Sequence, residues 1–374
     1  MSAALFSGKP AFSKAALLGT GLIGGSLGIR LRERRLVREV AGYDRDREAL
    51  ALALRKGAID WAAPSAAAAV EGAALVILAV PVMSTAALVE EIRPALALGT
   101  VLTDVGSTKV EITRQIAKLL PPGVYFIGGH PMAGSEESGM GGADPALLEN
   151  AIYVLTPSTA VPPDKIEALL ELVEEIGAQP LLLDPETHDR LAALVSHLPH
   201  LTAAALVNNA AGAADKPLIQ TLAAGGFRDT TRIALGNPEI WRDICISNRR
   251  VLIDVIDRFK DVLDELSRIV AQGDAAALER FFQQARHFRR QIPSRGRGIL
   301  PELYEVVALV ADTPGVIGRL AGLLGEAGLN IASIEILHVR ELEGGSIRIG
   351  FRDAAQQEAA LRVLKAAGYR AHSR

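Results

Sequence analysis

From Lys14 to about Asp184, short apolar runs rich in β-forming residues alternate with amphipathic stretches. The runs fall at 15–18, 40–43, 75–80, 101–105, 125–128, 152–155 and 180–183. The stretch opening at Gly21 is helical in period, with Ile23, Leu27 and Leu31 recurring every fourth residue on one face. Strand and helix signals in alternation predict an open α/β domain with a parallel sheet flanked by helices. After Pro185 the strand signals stop. The chain to about Gln291 keeps helical periodicity, broken mainly by a glycine-containing loop at Gly225 and Gly226.

A stretch rich in Pro, Ser, Arg and Gly at 293–301 then reads as a linker. Beyond it the pattern resolves into a strand at 304–311, a helix at 314–327, strands at 330–340 and 346–351, a helix at 353–367 and a short strand from Tyr369. That βαββαβ order describes a ferredoxin-like unit, with Gly344-Gly345 as the tight turn between its middle strands. The expected organisation is a Rossmann-type α/β domain over 1–185, an all-helical domain over 186–292, a linker over 293–303 and the ferredoxin-like domain over 304–374.

A length of 374 residues agrees with two or three domains. Composition, 49% hydrophobic and 22% charged, excludes a long disordered or collagenous chain. The formal charge of −3 gives no reason to expect nucleic acid or an anionic membrane as partner, which leaves small molecules or protein. One cysteine, Cys245, rules out a disulfide framework or a multi-cysteine metal site within the chain and suits a reducing cytosol. Its apolar helical surroundings favour a core position over a reactive one. No apolar run is long and uninterrupted enough to read as a bilayer span, and the N-terminus lacks a signal-peptide pattern. Nothing in the helical region shows metal-ligand spacing, a G-x-S-x-G elbow or a paired-carboxylate signature, so hydrolase readings fall away.

Chemistry enters at Gly19-Thr20-Gly21-Leu22-Ile23-Gly24, which follows the first strand and opens the first helix. In that context Gly19 permits the tight turn, Gly21 admits a pyrophosphate close to the backbone, and Gly24 lets the helix pack on the strand. The phosphate would meet free N–H groups at Leu22 and Ile23 on the helix N-terminus. Asp44, at the end of the second strand, is placed to accept hydrogen bonds from the adenosine ribose and to repel a 2′-phosphate. Val80 and Pro81, closing the third run, join the cofactor set. The reading is NAD, with Arg45 and Arg47 beside Asp44 leaving NADP open.

Four polar stretches lack an obvious packing purpose. Thr103-Asp104-Val105-Gly106-Ser107-Thr108-Lys109 lies at the C-terminal end of a strand, where ligands bind in open α/β sheets; a helix cap from Ser107 or Thr108 is the plainer alternative. Gly129-His130-Pro131-Met132-Ala133-Gly134-Ser135-Glu136 sets a histidine between glycine and proline, a poor core environment and a good functional one. In Val195-Ser196-His197-Leu198-Pro199-His200, Ser196 and His200 share a helix face if the helix persists through Pro199, whereas His197 lies about a hundred degrees away. Finally, Gly225-Gly226-Phe227-Arg228-Asp229-Thr230-Thr231-Arg232 gathers two arginines and a carboxylate, suited to substrate carboxylates or simply to a solvated surface.

Taken in order, these motifs resemble the prephenate and arogenate dehydrogenase family over essentially the whole chain, and the stretch Asp312-Thr-Pro-Gly-Val with Gly328-Leu-Asn-Ile is similar to an ACT domain. The resemblance implies oxidative decarboxylation of prephenate to 4-hydroxyphenylpyruvate with reduction of NAD, in tyrosine biosynthesis. Arogenate as substrate is the alternative, and a non-catalytic NAD and amino-acid sensor is a third reading that leaves His130, His200 and Arg232 without a task. It further implies that His130 acts at the substrate hydroxyl and that Ser107 bonds near the nicotinamide and holds His130. Ser196 and His200 would face the substrate, Arg232 would bind a carboxylate, and Asp229 and Glu136 would gate or orient the pocket. A cytoplasmic homodimer with Arg232 near its interface is expected, in a monofunctional form without a preceding chorismate mutase segment. Asp312, Gly315, Asn330 and Ile331 are the expected effector positions, with L-tyrosine as effector.

Overall fold

The computed structural model describes residues 12–134, 137–292, 303–311, 313–337 and 345–373. The chain divides into two compact units, Met1–His287 and Phe288–Arg374. The α/β and helical regions therefore pack as one unit.

The first unit is built on eight strands: β1 (Phe12–Leu18), β2 (Val37–Tyr43), β3 (Trp61–Ala62), β4 (Leu75–Leu78), β5 (Val101–Asp104), β6 (Tyr125–Pro131), β7 (Ile152–Pro157) and β8 (Gln179–Leu182). They lie in the order β3-β2-β1-β4-β5-β6-β7-β8. Strand β3 is two residues long and has no apolar run to announce it. The sheet departs from the expected all-parallel form at one pairing, because β7 runs antiparallel to β6, with His130 opposite Val154. Between β6 and β7 the described residues form only short 3₁₀ turns at Met140–Gly142 and Pro145–Leu148. Without a crossover helix, nothing carries it back to the far edge for a parallel return.

Two cores cover the two faces of the sheet. On one, Leu27 and Leu31, Leu50, and Leu169 and Val173 bring in the helices Leu22–Glu33, Arg47–Arg55 and Pro163–Glu175. On the other, Val70, Val89 and Ile92, and Ile112 and Ile116 bring in Ala66–Val70, Val82–Ile92 and Val110–Ala117. Strand order reverses at β1, which lies between β2 and β4, and the C-terminal strand ends at such a switch point are where open α/β sheets bind ligands.

From Asp184, whose carboxylate caps Thr187 N–H, the chain enters a helical rod. It comprises the helix Pro185–Ala192, one π turn at Ala193–His197 and the helix Leu198–Ala211. Pro199 supplies no N–H, and its ring would crowd the carbonyl four residues back; the widened turn lets the rod continue past it. Pro185–Ala211 is long and apolar enough by length and composition to cross a bilayer, which separate inspection of its pieces missed. It also buries His188, Asp189 and His197 against polar groups of the same unit. Gly225 and Gly226 do not form a loop: they begin the helix Gly225–Thr231. The long amphipathic helix Arg249–Gln272 ends on Gly273 in the left-handed conformation.

The second unit has β9 (Tyr304–Val310), the helix Val316–Glu326, β10 (Ser333–Leu337), β11 (Gly345–Phe351), the helix Ala354–Ala366 and β12 (Arg370–Ser373). Its sheet order is β10-β11-β9-β12, antiparallel throughout, as the βαββαβ reading requires. Val306, Ala308, Ile347, Ile349 and Phe351 meet Leu320, Leu324, Ala360 and Leu364 of the helices. Residues 293–302 of the expected 293–303 linker and the far end of the expected 330–340 strand, with Gly344 of the expected turn, lie outside the described residues.

Close packing at the switch point gives a stability prediction. Alanine ordinarily favours a helix interior over glycine by ~1 kcal/mol. At Gly28, however, an added Cβ would stand 2.4 Å from the Ala58 carbonyl oxygen. Gly28→Ala should therefore destabilise the fold by about 1–3 kcal/mol, the range typical of overpacking, and lower the urea midpoint; a raised midpoint would show that the helix can shift freely.

Candidate active site

The glycine loop joins β1 to the Leu22–Glu33 helix beside the end of β4. Gly19 has φ +100°, and a Cβ there would meet the Ala79 carbonyl at 2.3 Å and Val80 Cγ1 at 3.2 Å. A Cβ on Gly24 would lie 2.1 Å from the Gly19 carbonyl, whereas one on Gly21 would meet nothing within 4 Å. The outer glycines are thus demanded by packing, and the middle one faces open space where a ligand can approach the backbone. Gly21 is the N-cap and offers no side-chain hydrogen bond to the helix, so Leu22 and Ile23 begin an uncapped N-terminus suited to an anion. Val80 and Pro81 line the neighbouring turn, with Pro81 heading the Val82–Ile92 helix.

Asp44 Oδ2 accepts from Thr20 N at 2.6 Å and Thr20 Oγ1 at 3.0 Å, and Oδ1 accepts from Asp46 N at 2.9 Å. The carboxylate therefore braces the loop. A carboxylate has about four acceptor positions, so these contacts leave capacity for a ribose hydroxyl. Arg45 and Arg47 are exposed.

At the C-terminal ends of β5 and β6 the structure buries a polar cluster. Lys109, wholly buried, donates from Nζ to Asp104 Oδ2 at 2.5 Å and to the Gly129 carbonyl at 2.7 Å. Asp104 also accepts from Gly106 N and Gly129 N. Burial draws the Lys109 ammonium below its usual range, with Asp104 opposing the shift. The helix Val110–Ala117 has no cap from Ser107 or Thr108; instead Lys109 N and Val110 N donate to Asp189 at 2.7 and 2.9 Å, across 80 and 79 residues of sequence. Thr108 shares a hydrogen bond with Ser247.

His130 sits in this cluster, 7% exposed. Its Nδ1 is 2.8 Å from His188 Nε2, and His188 Nδ1 is 2.8 Å from Asp189 Oδ1. Burial holds His130 well below the ordinary histidine range, and the neighbouring His188, Lys109 and His197 push the same way. Ser107 is half-buried on the adjoining loop, but the ring nitrogen partner seen for His130 is His188. His188 and Asp189 carry no sequence signal beyond their adjacency, and only the fold brings them here.

On the helical rod, His197 and His200 flank one indole rather than lying on separate faces. His200 stacks on Trp241 with ring centres 3.4 Å apart, and His197 meets it edge-on at 6.1 Å. Gly236 fits beside them because an added Cβ would lie 2.7 Å from Trp241 Nε1 and 2.8 Å from His200 Cε1. Asn248 Nδ2 donates to the Asp189 carbonyl and lies 3.3 Å from His197 Nδ1. His197 Nε2 is buried without a well-formed hydrogen bond, the Ser107 carbonyl being its polar neighbour. Ser196 is half-buried on the π turn. Asp229 and Arg232 are exposed, on the Gly225–Thr231 helix and in the turn that follows. Glu136 lies outside the described residues.

In the second unit Gly315, at φ +83°, is the N-cap of the Val316–Glu326 helix. Asn330 is exposed and Ile331 packs on the core. Asp312 lies outside the described residues. Among those described, no group of acidic, histidine or cysteine side chains is assembled to hold a metal ion.

Comparison with known proteins matches residues 27–182 to the nucleotide-binding domain of prephenate dehydrogenase, 184–284 to its dimerization domain and 304–368 to an ACT domain. Prephenate dehydrogenase of Bacillus subtilis is 36% identical over 352 residues, 94% of this chain and 95% of its own. That of Lactococcus lactis is 36% identical over 359 residues, 95% and 98% of the two chains. The crystal structure of prephenate dehydrogenase from Aquifex aeolicus in complex with hydroxyphenyl propionate and NAD+ superposes with a TM-score of 0.71 at 29% identity, covering 75% of this chain and 98% of that one. Synechocystis arogenate dehydrogenase gives 0.66 at 33% identity, covering 74% and 99%.

The buried histidines set a pH dependence for stability. Burial is the main cause that lowers His197 to about 4, and His130 also lies well below 6.5. Below pH 6.5 the unfolded chain therefore binds protons that the folded chain refuses, so stability falls as pH drops from about 6.5 toward 4. Urea midpoints at pH 7, 6 and 5 should decline in that order, and His197→Gln should flatten the slope. A constant midpoint would mean that these rings charge freely in the native state.

Proposed function

The chain belongs to the prephenate dehydrogenase family, and on that premise we propose a reaction at His130: oxidative decarboxylation of prephenate to 4-hydroxyphenylpyruvate with reduction of NAD. The supporting observation is His130 itself, buried, held by burial well below the ordinary histidine range and bonded through Nδ1, at the C-terminal strand ends that also carry the glycine loop. Bound NAD supplies the hydride acceptor. Gly19, Gly21 and Gly24 shape its cradle, with Leu22, Ile23, Asp44, Val80 and Pro81 around it.

The substrate hydroxyl must lose its proton as hydride leaves the same carbon. A neutral imidazole can accept that proton. The ring carboxylate then departs as carbon dioxide, its bonding electrons make the ring aromatic, and the oxygen ends as a phenol. One proton leaves that oxygen and one returns, so a base that holds it locally closes the cycle without net exchange. Ser107, on the loop after β5, bonds the same hydroxyl in this reading. Ser196 and His200 face the substrate from the rod, Arg232 binds a carboxylate, and Asp229 and Glu136 orient the pocket.

The exposed Leu206, Leu218, Leu222, Leu235 and Ile253 of the helical region suit a homodimer, and the ACT domain suits a small-molecule effector. We assign L-tyrosine to it, through Asp312, Gly315, Asn330 and Ile331, in a cytoplasmic enzyme.

Purified protein should form NADH with prephenate, more slowly with arogenate, and prefer NAD to NADP. His130→Asn should lower kcat by ~10²-fold or more with the KM for NAD nearly unchanged, and faster turnover of arogenate would reassign the substrate. A chain ending near Ser294 should stay active and lose tyrosine inhibition; equal inhibition of the shortened chain would move tyrosine to the substrate pocket.

A further inference from the structure

We propose that His188 and Asp189 are positioning residues that fix the tautomer of His130, leaving its Nδ1 protonated and its Nε2 as the basic nitrogen. The inference deepens the reading of His130 given above. It follows from counting donors and acceptors inward from one carboxylate.

Asp189 receives Lys109 N on Oδ1 and Val110 N on Oδ2, at 2.7 and 2.9 Å. Backbone N–H groups only donate, so both carboxylate oxygens act as acceptors. His188 Nδ1, 2.8 Å from Oδ1, must therefore carry a hydrogen. In an uncharged His188 that leaves Nε2 as the acceptor. Its partner at 2.8 Å, His130 Nδ1, is then the donor, and the proton-free nitrogen of His130 is Nε2. A charged His188 would reverse the last step and donate from Nε2. Asp189 would then be taken up by that charge, and with Asp104 paired to Lys109 a proton arriving at His130 would meet a neighbouring imidazolium instead of a neutral ring.

The direction of the chain is therefore dictated by the start of the Val110–Ala117 helix, whose two N–H groups hold Asp189 as an acceptor. Asp189 is itself held by Asn248 Nδ2 on its carbonyl, and all three members of the chain are buried. A proton accepted at His130 Nε2 creates an imidazolium that still donates from Nδ1 to His188, with the Asp189 charge one ring further on. The chain thus both presents the lone pair and compensates the charge that appears when it is used. Hydrogen-bonded orientation of a histidine by a carboxylate is a known way to select one tautomer; here the carboxylate acts through an intervening ring.

The test is a tautomer measurement joined to kinetics. The chain has 7 histidines, so ¹⁵N-histidine labelling gives a tractable long-range ¹H–¹⁵N spectrum, with His130 assigned from its loss in His130→Asn. In the full-length protein without substrate at pH 7, His130 should show a protonated Nδ1 and an unprotonated Nε2. In His188→Asn, His130 should become a tautomer mixture, and kcat should fall ~10-fold or more with the KM values for NAD and prephenate unchanged within ~2-fold. Asp189→Asn should act in the same direction. A protonated Nε2 on His130 in the wild type overturns the proposal, as does a His188→Asn protein with unchanged kcat, or one with reduced kcat and an unaltered His130 tautomer. If both variants fail to fold, the wild-type spectrum alone decides. Because it is recorded without substrate, inactivity of the wild type toward prephenate would overturn the substrate assignment and leave the tautomer result standing.

Discussion

The carboxylate of Asp189 joins parts of the first unit that the sequence keeps far apart. It lies on the Pro185–Ala192 helix after the last strand, yet it accepts the first N–H groups of the helix that follows β5. It also holds His188, and its own carbonyl receives Asn248 from the start of the Arg249–Gln272 helix. Buried N–H groups left without a partner cost about 1–3 kcal/mol each. Folding therefore has a strong reason to place this carboxylate correctly, and the alignment of His130 follows from the same placement.

The buried pair of Lys109 and Asp104 does comparable work one turn away. Taking two charges out of water is expensive, and such a pair is weak evidence for stability by itself. Its value lies in the backbone groups it recruits: Gly106 N, Gly129 N and the Gly129 carbonyl are all bound by the pair. The end of β5, the loop carrying Ser107 and the strand carrying His130 are thereby fixed against one another. Gly129 approaches closely enough that an added Cβ would stand 2.5 Å from the Asp104 carbonyl. The order around His130 is a property of backbone spacing as much as of side chains.

The helical rod contributes through its irregularity. The π turn ahead of Pro199 ends at His197, and His200, three residues on and on the same helix face, joins it in addressing Trp241. Trp241 comes from the helix Pro238–Ser247, whose Ser247 reaches Thr108 beside the buried cluster. The same two helices thus connect the aromatic stack to the strand ends. The first unit consequently behaves as one packed body, although its sequence changes character at Pro185.

Much of this was legible in the sequence because it is local. Apolar runs marked seven of the eight strands of the large sheet, and the glycine loop with Asp44 was readable because a strand, a tight turn and a helix follow one another directly. The βαββαβ order was likewise written in alternating periods. His130 stood out because glycine and proline are poor neighbours for a core histidine. Tertiary structure alone decided the rest. The reversed direction of β7 depended on the absence of a crossover helix, and the two-residue β3 depended on its place beside β2. His188 meets His130 across 58 residues and Asp189 meets Lys109 across 80. A hydrogen-bond chain of that kind is a statement about distance in space, and periodicity along the chain carries no record of it.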